Sequence, residues 1–136
     1  MKLKKEVKIA SLVILVLIVI GITLFLFTTK MTEKKMISQI EEMGIAYYHD
    51  LHAAMTKGMD AEQRKAEMKM FEELGIRVNL EGLINHNADN RKKIERFVFK
   101  GEECSITGTQ VAIFPKDPFD KDDFEIKVVL DCPGLE

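Results

Sequence analysis

The chain has 136 residues, 46% hydrophobic and 31% charged, with 20 basic and 22 acidic side chains and a formal net charge of −2. That length suits one small domain plus an accessory segment. Beyond the first eight residues the chain carries 16 basic and 21 acidic side chains, net −5. That balance argues against the clustered positive charge that nucleic acid requires, so no nucleic-acid partner is expected.

The chain opens with Lys2, Lys4, Lys5 and Lys8, offset by Glu6, and then runs from Ile9 to Phe27 without a charge. At about 1.5 Å per residue, a helix over that run approaches the roughly 30 Å hydrocarbon core of a bilayer. The run is longer than the apolar region of a cleaved secretory signal. It ends Leu26-Phe27-Thr28-Thr29-Lys30, with no small-residue cleavage site. The sequence therefore predicts a basic cytoplasmic tail (1–8), a transmembrane signal anchor (9–28) and an extracytoplasmic domain (29–136). Lysines beside a span stay on the cytoplasmic side. This predicts a single-pass protein of the cytoplasmic (inner) membrane, N-terminus in, with the C-terminal domain outside in the periplasmic space. The first partner implied is the lipid bilayer.

From Thr32 the residues Ile37, Ile40, Gly44, Tyr47, Leu51 and Ala54 recur three and four apart, which predicts an amphipathic helix over about 32–57. No Gly or Pro interrupts Phe27 to Ser38, so the anchor is expected to continue into this helix as one long rod. Gly58 ends it. Asp60 with Gln63 three residues on has the capping-box spacing, starting a second helix over about 61–74 that Gly75 closes in the left-handed conformation.

The period then changes to two. Ile76, Val78 and Leu80 alternate with polar residues, a strand over about 76–81. Residues 85–93 are too polar for core and are expected to form a loop or short helix. A second strand over about 95–100 places Phe97 and Phe99 on one face, and Cys104 to Thr107 extends or pairs with it. A third, 109–114, turns Val111 and Ile113 inward and is broken by Pro115 and Pro118. The last, 124–131, alternates Phe124, Ile126, Val128 and Leu130 with polar positions. The fold class is α+β: a transmembrane helix and its long amphipathic continuation, a second helix, then a small, mostly antiparallel sheet of three or four strands.

Cys104 and Cys132 both follow the anchor. In an oxidising compartment such a pair forms a structural disulfide, and neither has Cys-x-x-Cys spacing for redox work or metal. His49 and His52, three apart on a helix, could begin a zinc, copper or haem site, with His86 as a third ligand; the competing reading is simple surface histidines. Asp117, Asp120, Asp122 and Asp123 offer the oxygen-rich loop that calcium favours, although without EF-hand spacing; the competing reading is an ordinary Asp/Pro turn. Tyr47 and Tyr48 are expected to pack one ring inward. No cofactor follows from any stronger motif. Nucleophilic catalysis has no Gly-x-Ser-x-Gly context and no acid/base pair stands out, so the chain is not expected to be an enzyme.

These features favour an interaction or assembly protein of the cell envelope that meets other membrane proteins or self-associates. An apolar N-terminal helix leading to an antiparallel sheet with a disulfide near the C-terminus resembles the layout of type IV pilins and pseudopilins. That resemblance implies a subunit of a filament or secretion system. The pilin peptidase motif, a Gly followed by a short apolar stretch and Glu, is absent here. A third expectation is a sensory or ligand-binding subunit that acts through a partner.

Overall fold

The computed structural model describes residues 2–29, 32–99 and 102–134, with side chains described at 11–24, 32–97 and 102–134. The chain forms two compact units, residues 1–30 and 31–136.

The first unit is one helix, α1 (Lys2–Thr29). Helical order thus begins within the basic tail. From Leu12 to Leu24 its apolar side chains are about half exposed or more, because a lone helix has no interior in which to bury them. Thr23, the polar residue near its end, donates its hydroxyl to the carbonyls of Val19 and Ile20, both at 2.9 Å. Among the described residues no helix is long and apolar enough to cross a membrane. The expected rod joining α1 to the next helix turns on residues 30 and 31, which lie outside the described residues.

The second unit is α+β. Its first helix, α2 (Glu33–Met55), starts where the Thr32 side chain accepts from the Lys35 N–H. The buried stripe is Met36, Ile40, Met43, Gly44, Tyr48 and His52. It is rotated from the predicted one: Ile37, Tyr47 and Leu51 are only half-buried and Ala54 is exposed. Met36, Met43 and His52 form part of the true face. The predicted second helix is two, α3 (Ala61–Lys69) and α4 (Phe71–Leu74), parted where the Met70 N–H tightens onto the Glu67 carbonyl at 3.3 Å. The capping box is as expected: Gln63 N–H donates to Asp60 Oδ1 at 2.8 Å and Asp60 N–H to Gln63 Oε1 at 3.1 Å. Gly75 ends α4 at φ +71° and ψ 156°, its N–H on the Phe71 carbonyl.

Strand β1 (Ile76–Asn79) stops two residues before its predicted end, because the Asn79 side chain takes the Gly82 N–H at 2.9 Å and caps helix α5 (Leu80–His86). The polar stretch that follows is helix α6 (Ala88–Ile94), capped by Asn87. It is not wholly excluded from the core: Asn90 is buried and donates its amide to the Leu83 carbonyl at 2.8 Å. The predicted strand at 95–100 shrinks to β2 (Val98–Phe99), paired with β3 (Glu102–Glu103) in a separate two-stranded ribbon. Phe97, just ahead of it, is buried, while the Phe99 side chain lies outside the described residues. Cys104 N–H meets the Phe97 carbonyl at 3.1 Å, which carries the β2–β3 register one pair further as expected, while Ser105 to Thr107 add no strand.

The main sheet has three antiparallel strands in the order β1-β4-β5, with β4 (Gln110–Pro115) central and β5 (Phe124–Val129) at the edge. Pro115 closes β4 rather than breaking it earlier. The β1–β4 register would place it opposite Leu74, in α4, where no strand needs its missing N–H. Val111 and Ile113 are fully buried beneath α2. Gly44 permits that approach: a Cβ there would lie 2.8 Å from Val111 Cγ1.

Candidate functional site

The most chemically varied region lies where the C-terminal half of α2 meets the loop at 116–123. The helix period turns Tyr48, His49 and His52 toward that loop. The loop is exposed at 117, 118 and 120–122 but buries one ring. Phe119, after the cis Asp117–Pro118 bond, is 1% exposed at φ +67°. Its N–H reaches the Lys116 carbonyl, and its own carbonyl lies 3.1 Å from His52 Nε2. His52 is therefore a buried histidine held on a backbone carbonyl. His49 Nε2 lies 3.1 Å from Asp122 Oδ1.

The four loop carboxylates do not converge. Asp117 pairs with Lys65 at 2.6 Å and Asp120 with Arg64 at 3.1 Å, both cations from α3. Asp122 faces His49, and Asp123 Oδ2 accepts from the Asp120 N–H. Each acid is drawn to a different partner, and among the described residues no three His, Cys, Asp or Glu side chains group to hold a metal ion. The calcium expectation at Asp117, Asp120, Asp122 and Asp123 therefore has no converging ligand set among the described residues. Nor do His49, His52 and His86 form a three-ligand group among the described residues. His49 and His52 do share a face, but both act on the loop. His86 sits apart, 2.8 Å from Asp50 with its ring edge-on to Tyr47.

Tyr48 is the buried ring of the pair, at 0% exposure, packed edge-on against Phe124 and His52. Its hydroxyl has no hydrogen-bond partner among the described residues. Burial, and secondarily the Asp123 carboxylate, pushes its ionisation up to about 12. Burying a hydroxyl without a partner costs about 1–3 kcal/mol. Tyr48→Phe is accordingly expected to stabilise the protein by about 1 kcal/mol at neutral pH, read from the urea midpoint. The phenol ionises near 10 when unfolded and near 12 when folded. Its contribution is thus intact below pH 10 and lost as pH rises to 12. At pH 11 the advantage of the Phe variant is expected to grow by about a further 1.4 kcal/mol.

The expected bridge between Cys104 and Cys132 is present. Beside it lies a recess of about 280 Å³, walled by Leu80, Ile84, Ile94 and Phe97, with Arg91 and Glu103 among its charged lining residues. An apolar wall with a few charges at its margin suits an apolar group carrying a polar end. Comparison with protein-family models, characterised proteins and solved structures finds no match to this chain.

Neither the loop face nor the recess brings a nucleophile beside a base. Sequence reading missed Phe119, Arg64 and Lys65. A lone Phe inside a run of Asp, Lys and Pro was the available signal for the first. The pairing of α3 cations with the loop depends on distant packing, and local spacing carries no trace of it.

Proposed function

We propose that the chain is a membrane-tethered, non-catalytic interaction protein of the cell envelope, with α1 as the tether and residues 32–134 as an extracytoplasmic assembly domain. The observation that carries this reading is α1 itself. It is helical from Lys2 to Thr29, uncharged from Ile9 to Phe27 with four lysines ahead of that run, and its apolar side chains from Leu12 to Leu24 face outward. Lipid is the covering that such a surface suits best. The Cys104–Cys132 bridge agrees with an oxidising compartment on the far side.

The test is fractionation of cells producing the full chain. It is expected in the membrane pellet, resistant to alkaline carbonate and released by detergent, with the domain after α1 open to added protease once the outer barrier is removed. Full-length protein in the detergent-free soluble fraction would overturn the tether. The recess beside the disulfide favours a second reading, a ligand-binding subunit that acts through a partner.

A further inference from the structure

The edge of the sheet carries more information than its face. Lys116 N–H donates to the Asp123 carbonyl at 2.8 Å, which identifies 116 and 123 as a hydrogen-bonded pair of the β4–β5 ladder. Antiparallel ladders alternate. With the observed register, the bonded pairs are then Phe114 with Glu125, Ala112 with Lys127, and Gln110 with Val129. Phe124, Ile126 and Val128 must therefore point their N–H and C=O groups away from β4, toward the open side of β5.

Burial agrees with an uncovered edge. Val111 and Ile113 on β4 are fully buried, and Ile76 and Val78 on β1 are 8% exposed. The inward residues of β5, Phe124, Ile126 and Val128, are only half-buried. Such a row of free backbone groups is a template for another strand.

We propose that this edge pairs with the same edge of a second copy of the chain, antiparallel about a two-fold axis at Ile126. The charges of β5 select that register. Its free backbone groups lie on even-numbered residues, so three neighbouring alignments satisfy the hydrogen bonds. Centring on 125 places Glu125 against Glu125, and centring on 127 places Lys127 against Lys127. Centring on 126 sets Glu125 of each copy opposite Lys127 of the other, Phe124 opposite Val128, and Ile126 opposite itself. Like charges directly opposite are destabilising and opposite charges favourable. Both side chains are exposed, and among the described residues neither takes part in an ion pair. The product is one six-stranded sheet, β1-β4-β5-β5-β4-β1. It is a closed isologous interface, which uses up the edge rather than propagating it. The pairing names the partner for the assembly role proposed above and rests on that reading.

The test uses two co-produced full-length chains of different tag length, one carrying Glu125→Cys and the other Lys127→Cys. In the proposed register these positions form a non-hydrogen-bonded pair with Cα atoms about 4.5 Å apart, within reach of a disulfide. Mild oxidation is expected to give the mixed dimer on non-reducing gels at least ten-fold above the dimer from either variant alone. A companion series crosslinks the free amines of surface lysines: Glu125→Lys and Lys127→Glu should each lose most of the wild-type dimer, and the double exchange should regain it. Mixed dimer no more abundant than either self-dimer, or absent while Cys104–Cys132 remains bonded, would overturn the pairing. So would a double exchange that fails to regain dimer. The bands are read in whichever cell fraction holds the chain, so failure of the tether and failure of the pairing are told apart.

Discussion

Replacing Cys104 and Cys132 together by alanine is expected to remove about 3.5 kcal/mol of stability, the chain-entropy value for a bridge spanning 28 residues. For a domain of this size that corresponds to a fall of roughly 15–20 °C in Tm, measurable by calorimetry on the full chain. The bridge fastens the segment after β3 to the segment after β5, where Ser105 N–H already meets the Asp131 carbonyl at 2.7 Å. Both cysteines are buried, so the substitution also leaves a small packing defect. A loss under about 1 kcal/mol would mean that the unfolded chain is already restrained without the covalent link.

The second large effect is expected at Gly75. Its backbone, at φ +71° and ψ 156°, lies in a region that only glycine occupies readily, at a cost of about 1–3 kcal/mol for other residues. A Cβ there would also stand 2.7 Å from Phe114 Cε1. Gly75→Ala should lose about 3 kcal/mol in urea unfolding. Gly58→Ala provides the comparison, because Gly58 has φ +77° but open space around it. That variant should lose only about 1 kcal/mol. Equal losses would show that the Phe114 ring yields without cost and that backbone strain alone acts.

Local rules carried much of the architecture. The Asp60–Gln63 box, the closure at Gly75, the alternation of β4 and β5, and the Cys104–Cys132 pairing all follow from interactions within a few residues or from compartment chemistry. Failures cluster where a side chain diverts the backbone or where burial comes from afar. Alternation through Leu80 predicted a longer strand, but Asn79 captured the Gly82 N–H and began a helix. The stripe on α2 was misplaced because helix periodicity alone cannot say which of Ile37 or Met36 meets the sheet. At the loop, counting carboxylates suggested an ion. The cations that pair with Asp120 and Asp117 are Arg64 and Lys65, more than fifty residues away in sequence.

The central strand is gripped from both sides by residues that lack a side chain. Gly44 of α2 meets Val111 on one face, and Gly75 meets Phe114 on the other. Drift could rewrite most of the exterior of this molecule and leave it folded, yet at those two places even a methyl group must displace Val111 or Phe114. Distant kin would then be recognised less by overall identity than by a pair of invariant vacancies, thirty-one positions apart, ahead of the strand they enclose.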